Sequence, residues 1–110
     1  MRKVVIESPY AGDIQRNIEY ARAAMWDCLQ RGEAPYASHL LYTQVGVLDD
    51  SDAVQRERGI NAGFAWRDAS DATVVYTDLG VSPGMILGIK HARAMKHPIE
   101  YRTLGGKWSQ

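Results

Sequence analysis

The residues with the most evident chemistry lie in one turn, within the stretch TDLGVSPGMILGIKHA at residues 77–92. Ser82 and Pro83 are typical of the cap and the first position of a helix, and a strand-forming run precedes them. A helix that begins there presents unpaired amide groups and the positive end of its dipole, for which phosphate is the natural ligand. Gly80 and Gly84 allow the backbone to come close to it. Because no G-x-G-x-x-G pattern or Walker lysine is present, a plain helix start remains the alternative.

Acidic residues in several loops are candidates for catalysis at the same end of the fold. Asp49 and Asp50 are adjacent in a long connection, and paired carboxylates can split their pKa values into an acid and a base. A solvated turn before the next helix is the alternative interpretation. Asp78, which ends the strand before the glycine turn, is either an acceptor for a ligand hydroxyl or an ordinary turn acid. The further acids within reach are Glu7 and Asp13.

Aromatic and histidine residues supply candidate ligand contacts. Tyr10 lies in the loop 8–13, which also contains Gly12, and is a candidate for stacking on a planar ligand. His39 is a candidate hydrogen-bond partner or acid, with a packed histidine as the alternative. The three histidines lack metal-ligand spacing, and Cys28 is the single cysteine. We therefore expect no metal site and no cofactor.

Two groups of basic residues have a structural interpretation. Arg56, Arg58 and Arg67 predict a solvated cationic face on one helix, with a phosphate contact made by a neighbouring subunit as the alternative. His91 and His97 lie on or just past another helix, and we expect them to face solvent.

Periodicity predicts alternating strands and helices. Strands are expected at 3–7, 34–38, 72–77 and 99–104, and helices between the cap Asp13 and the stop Gly32, over 53–68, and from Ser82 to about 96. This order indicates an α/β fold: a single flavodoxin-like or Rossmann-like three-layer domain with a small parallel sheet. Ligands of such sheets bind beyond the carboxyl ends of the strands, here at the loops 8–13, 39–52 and 78–84.

Length and composition fit one globular domain. The 110 residues are 45% hydrophobic and 24% charged, and 13 basic residues balance 13 acidic ones. A chain without net charge has no long-range field to attract nucleic acid or an anionic membrane, so neither is an expected partner. No apolar stretch approaches the length of a signal peptide or a transmembrane helix, and a cytoplasmic location is expected. The domain is expected to span 1–104, with a C-terminal tail at 105–110.

Four pieces in this order resemble the nucleoside 2-deoxyribosyltransferase-like superfamily, especially its short phage and bacterial members and the deoxynucleoside monophosphate N-glycosidases. They are VVIESPYAGD, YASHLLYTQVGVLDD, ERGINAGFAWRDASDATVVYTDLG and GVSPGMILGIKHA, and together they cover nearly the whole chain. The resemblance implies a flavodoxin-like sheet, a homo-oligomer, and cleavage or exchange of an N-glycosidic bond. It also implies a small nucleoside or nucleotide ligand, with Tyr10 near the base and sugar, Ser82 and Gly84 at a 5′-phosphate, and Asp78 near the ligand.

The resemblance also implies a glutamate nucleophile in the helix after the phosphate turn, in a pattern like S-x-G-x-x-x-E-x-G. That position is Gly88 in this chain, and glycine has no group that can attack a sugar. The sequence therefore favours a protein that captures a nucleotide or an ADP-ribose-like signal without cleaving it, for example as a phage countermeasure. The alternative is an N-glycosidase or deoxyribosyltransferase with a relocated acid, Asp49 or Asp50.

Overall fold

A computed structural model describes residues 1–109 of the chain, in which strands and helices alternate. The elements in chain order are β1 Arg2–Glu7, α1 Ile14–Gln30, β2 Glu33–Tyr36, α2 Ser38–Leu41, α3 Ala53–Asp68, β3 Ala72–Tyr76, α4 Pro83–Ala94, β4 Ile99–Arg102 and a final 3₁₀ helix Gly106–Ser109. The predicted strands and long helices are thus present, with ends that differ by at most three residues. The short helix α2 was not predicted.

The four strands described within residues 1–109 form one parallel sheet in the order β2-β1-β3-β4. The chain leaves β1 first to one side, towards β2, and later returns to the other side at β3. This reversal opens a crevice at the carboxyl ends of the central strands β1 and β3, where α/β sheets bind ligands. The predicted parallel α/β fold is confirmed.

Helices cover both faces of the sheet. Val74 belongs to the core cluster that contains α1 residues such as Tyr20, whereas Val75 packs with Met85 and Ile89 of α4. Because successive strand residues point to opposite faces, α1 and α4 lie on opposite sides of the sheet. The domain therefore has three layers, and the Glu7 side chain points to the α4 side, two residues along β1 from Val5.

Short polar side chains begin the three long helices. The side chains of Asp13, Asp52 and Ser82 accept hydrogen bonds from backbone amides in the first turns of α1, α3 and α4. These caps fix where each loop at the carboxyl edge of the sheet ends. As predicted, Asp13 and Ser82 are cap residues.

The C-terminal segment contacts the core. Trp108 of the 3₁₀ helix meets the ring of Tyr20 edge-on at 4.9 Å, so part of the segment expected as a tail packs against α1. The last residue of that expected tail, Gln110, lies outside the described residues. Within residues 1–109, no helix has the length and apolar character required to cross a membrane.

Candidate functional site

A cavity of about 400 Å³ opens at the carboxyl edge of the sheet, between β1, β2, α3 and the start of α4. This volume is within the range of small-molecule sites. Its apolar wall consists of Val5, Tyr36, Tyr42, Leu48, Ile60, Phe64 and Leu87. Its polar lining includes Glu7, Tyr10, His39, Asp50, Arg56, Arg67 and Ser82. The inward face of α3 lines this space, and among the described side chains of that helix only Arg67 is buried.

The floor of the cavity carries a buried carboxylate. Glu7, the last residue of β1, is 8% exposed, and its Oε2 accepts a hydrogen bond from Nη2 of Arg67 in a buried ion pair. Among the described residues, no group donates a hydrogen bond to the second oxygen, Oε1. Glu7 therefore has one oxygen held by Arg67 and one available to a ligand.

Glu7 occupies the space into which a side chain at position 88 would project. A Cβ atom built on Gly88 would overlap with the carboxyl group of Glu7. Gly88 lies inside α4 with ordinary helical geometry, so close contact with Glu7, not a special backbone angle, requires glycine there. The space beside Gly88 is thus filled by the carboxyl group of Glu7, which comes from β1.

Arg67 is fixed by three partners. Its side chain is 1% exposed, Nε donates to Thr73 Oγ1 at 3.1 Å, and Nη1 lies 3.0 Å from His91 Nδ1, in addition to the Glu7 bond. The prediction that Arg67 faces solvent is wrong, and His91, expected to face solvent, is half-buried with its ring nitrogen towards Arg67. Arg67 follows Ile60 and Phe64 at helical spacing, so it lies on the inner face of α3, and the desolvated guanidinium is satisfied by these partners.

Burial controls the protonation of the floor carboxylate. Loss of solvent raises the pKa of Glu7 to about 7, and the charge and hydrogen bond of Arg67 oppose this rise. Both the acid and the carboxylate forms are therefore populated near neutral pH. Carboxyl groups with such pKa values are typical of catalytic sites, although buried ion pairs also produce them.

Tyr10 and His39 stack at the side of the cavity, with ring centroids 5.5 Å apart and planes 15° from parallel. The loop that carries Tyr10 is tethered by Asn17, whose Nδ2 donates to the carbonyls of Tyr10 at 2.8 Å and Ala11 at 3.1 Å. Burial lowers the pKa of His39, and a hydrogen bond with the backbone of Ser8 opposes this. The structure therefore brings both predicted contacts to the cavity.

The start of α4 faces the same cavity. Ser82 Oγ accepts from the Met85 amide at 3.2 Å, and Pro83 has no amide hydrogen. The Gly84 amide is therefore the first-turn donor left without an acceptor inside the helix. Ser82 and Gly84 line the cavity together, as the phosphate-turn hypothesis requires.

The two acids of the long loop have different positions. Asp50 lines the cavity, whereas Asp49 is exposed and its Oδ1 accepts from the amide of Ser51 at 3.0 Å and from its hydroxyl at 2.6 Å. These bonds lower the pKa of Asp49. Of this pair, the structure brings Asp50 to the site and does not bring Asp49.

Three further predicted residues lie away from the cavity. Asp78 accepts from the Tyr20 hydroxyl at 2.6 Å and from the amides of Leu104 and Gly105, so its oxygens anchor the C-terminal segment. Asp78 and Gly80 line a second, more open depression. This depression shares Ala11 and Ser82 with the cavity. Gly80 and Gly12 have φ angles of 84° and 100°, so both serve turns that favour glycine.

No metal-binding cluster is found in the described part of the chain, residues 1–109. No group of three or more His, Cys, Asp or Glu side chains there has a suitable arrangement. Cys28 is buried, with Sγ 3.3 Å from the Tyr76 hydroxyl, and burial raises the pKa of its thiol.

The three-layer fold and the crevice site define a domain with the nucleoside 2-deoxyribosyltransferase-like fold, which is related to that of N-glycosidases. A 2-deoxyribosyltransferase from Bacillus psychrosaccharolyticus aligns with a TM-score of 0.65 and 13% identity, over 96% of this chain and 74% of that one. The CMP N-glycosidase BcmB of Clostridium botulinum aligns with a TM-score of 0.53 and 14% identity, over 96% of this chain and 72% of that one.

By sequence, the chain belongs to the family described as Domain of unknown function (DUF7768), whose model matches residues 2–102. No curated protein matches it by sequence. The resemblance to the deoxyribosyltransferase-like superfamily is thus confirmed at the level of fold, and the chemistry has to be argued from the site.

Proposed function

We propose that this protein binds a nucleoside 5′-monophosphate or a related nucleotide in the cavity and cleaves its N-glycosidic bond. The observation that carries the proposal is the Glu7 carboxyl group, which fills the space beside Gly88, lines the cavity and has one oxygen that receives no hydrogen bond among the described residues. The folds of the 2-deoxyribosyltransferase and the CMP N-glycosidase support the same class of ligand.

The chemistry of the cavity walls suggests how such a ligand lies. Ser82 and the Gly84 amide suit a 5′-phosphate, because a helix start offers a hydroxyl, an amide and a favourable dipole. Tyr10, His39 and the apolar wall suit a planar base. The sugar then lies between these two subsites, with its anomeric carbon towards Glu7.

In the proposed reaction, ionised Glu7 either attacks the anomeric carbon or activates the water that does so. The bond between this carbon and the base nitrogen breaks, water supplies the new oxygen, and the base leaves with a proton. Asp50 is the second acid that lines the cavity, and we assign to it the protonation of the leaving base. This assigns the relocated acid of the sequence-based alternative to Glu7, with Asp50 as its partner.

Capture of an intact ligand is the second candidate function. It is favoured by the close pairing of Glu7 with Arg67 and by the low exposure of Glu7, which restrain the carboxylate from approaching a sugar. A protein of this kind would sequester a nucleotide or an ADP-ribose-like signal, and a phage countermeasure is one role that fits.

The test is to mix excess protein with nucleosides, deoxynucleoside monophosphates, ADP-ribose and cyclic ADP-ribose, and then to ultrafilter. Both the filtrate and the fraction released by heat are chromatographed. Free base in the filtrate is the expected result. An intact ligand recovered on heating would instead establish capture, and the absence of both would refute a nucleotide site.

The matched control is Glu7→Gln, which keeps the size of the side chain and an acceptor for Arg67 but removes the ionised carboxylate. We expect this variant to retain the nucleotide and release no base. Release of base at the wild-type rate by Glu7→Gln would exclude Glu7 as the reacting group.

We also propose that the protein forms a homo-oligomer in the cytoplasm. Two exposed apolar side chains of α3 support a subunit contact, because Val54 is 60% and Trp66 54% exposed. Sedimentation velocity of wild type against Trp66→Lys tests this, with a shift towards monomer expected. A wild-type monomer at micromolar concentration would contradict it.

A further inference from the structure

His91 connects α4 to the carboxylate of the cavity through Arg67. Arg67 Nη1 lies 3.0 Å from His91 Nδ1, while Nη2 of the same guanidinium donates to Glu7. His91 itself does not line the cavity. Any effect of His91 on the site must therefore pass through Arg67 or through Phe64, on whose ring His91 stacks.

The contact defines the form of the imidazole. A guanidinium donates hydrogen bonds and does not accept them, so Nδ1 must be an unprotonated acceptor with the ring proton on Nε2. The ring plane is fixed as well, because His91 stacks on Phe64 with centroids 3.9 Å apart and planes 3° from parallel. Both constraints favour a neutral and oriented imidazole.

Arg67 depends on such an acceptor. Its three nitrogens meet Thr73, His91 and Glu7, which come from β3, α4 and β1. In a buried site, loss of one acceptor leaves a donor unsatisfied, and the guanidinium turns to find another. A turn of this kind moves the Nη2 atom that holds Glu7.

We propose that His91 is a positioning residue, whose Nδ1 holds the Arg67 guanidinium so that Oε1 of Glu7 faces the cavity. For its effect on turnover, this inference rests on the proposed N-glycosidic cleavage. Its effect on Glu7 in the ligand-free protein is independent of that function. Phe64 lines the cavity and also carries His91, so a ligand that packs on Phe64 contacts the same stack.

Acidification is expected to break the contact. Burial and the Arg67 charge lower the pKa of His91, His97 lowers it further, and Asp68 opposes them. Because the pKa is lowered, His91 stays neutral at neutral pH and keeps its acceptor. Below that pKa, Nδ1 becomes a donor that faces another donor, and Arg67 is released from it.

Two substitutions separate the acceptor from the ring. His91→Phe keeps an aromatic ring on Phe64 but has no acceptor, whereas His91→Gln keeps an acceptor and loses the ring. The first readout is the titration of the Glu7 carboxyl carbon by ¹³C NMR without ligand. We expect His91→Phe to raise the pKa of Glu7 by about one unit, since Arg67 then opposes the effect of burial less. In His91→Gln, the pKa of Glu7 should stay close to the wild-type value.

The second readout is turnover. We expect His91→Phe to lower kcat roughly tenfold to a hundredfold with little change in KM, as a displaced reacting group does. His91→Gln should recover most of this loss. If the wild type cleaves no nucleotide, the proposed function fails, and the ¹³C titration alone decides the inference about His91.

Unchanged Glu7 titration in His91→Phe would overturn the inference. Equal shifts in both variants would overturn it as well, because they would show that a retained acceptor does not preserve the pKa of Glu7. Should His91→Phe not fold, ¹⁵N NMR of the wild-type imidazole decides the matter. A protonated Nε2 with an acceptor Nδ1 is expected, and a protonated Nδ1 at neutral pH would refute the positioning contact.

Discussion

The contact between Glu7 and Gly88 predicts strong coupling between a strand residue and a helix residue. Gly88→Ala places a methyl group where the Glu7 carboxyl group lies, so the carboxylate must leave its place beside Arg67. Glu7→Ala removes the carboxylate and leaves the guanidinium buried without its anionic partner. The double substitution removes the overlap, because the methyl group then enters vacated space.

The magnitudes follow from these changes. Overpacking by one methyl group costs about 1 to 3 kcal/mol, and removing one partner of a buried ion pair costs about 3 to 5 kcal/mol. Independent effects would therefore add to about 4 to 8 kcal/mol. In the double variant the overlap is absent, and alanine is a better helix former than glycine by up to about 1 kcal/mol. We expect the double variant to be less destabilised than the sum of the single variants by about 1 to 4 kcal/mol.

The assay is urea unfolding of all four proteins at pH 8, where Glu7 is mostly ionised. A coupling energy below about 0.5 kcal/mol, the range found for independent sites, would refute the overlap of the two side chains. The functional counterpart is Glu7→Ala with Gly88→Glu, which moves the carboxylate from the strand to the helix. We expect this double variant to regain base release that Glu7→Ala lacks, while Gly88→Glu alone remains impaired because the two side chains compete for one space.

Three further predictions concern single side chains. Ser82→Ala should weaken binding of a nucleoside monophosphate by about 1 to 3 kcal/mol and leave the matching nucleoside unaffected, as calorimetry can check; equal losses for both would contradict a phosphate contact. The pKa of Glu7 rises from 4.5 in the unfolded chain to about 7 in the folded protein. Protonated Glu7 therefore stabilises the folded state fully below pH 4.5, and this stabilisation is lost as the pH rises to about 7. Wild type should therefore lose about 3 kcal/mol over this range relative to Glu7→Gln in urea unfolding, and parallel pH profiles would disprove the raised pKa. Tyr36→Phe should raise the free energy of unfolding by about 1 kcal/mol, because the buried Tyr36 hydroxyl interacts with Tyr42 but makes no well-formed hydrogen bond among the described residues; a destabilised variant would show that the Tyr42 contact is a stabilising hydrogen bond.

The fold was predictable because its signals are local. Apolar runs and helical spacing located the strands and the three long helices, and the caps Asp13 and Ser82 marked two helix starts. The helix α2 escaped prediction because four residues hold too little periodicity to separate them from a loop.

The site was predictable in part. Tyr10, His39 and Ser82 meet at one cavity, since each follows the carboxyl end of a strand, and Asp50 joins them from the loop before α3. Asp78 has the same position in sequence, yet its oxygens anchor Leu104 and Gly105. That role depends on where the C-terminal segment returns, which no local pattern reveals.

The pair Glu7 and Arg67 was the harder part, although signals for both were present. Glu7 ends a buried strand, and alternation places it on the face of Val5, beneath α4. Arg67 follows Phe64 on the inner face of α3. The ion pair between them could not be predicted from the sequence, because 60 residues separate the two. Each alone is a polar residue at the end of a strand or helix.

The close approach of a strand side chain to a helix position follows from the geometry of the crevice. In a parallel sheet, the end of β1 and the first turns of α4 converge on one volume, so either element can deliver a carboxylate to it. The element that does not deliver it must present a small residue, and Gly88 meets that condition. Gly88 alone is therefore weak evidence that the crevice holds no acid, because the neighbouring strand ends in Glu7.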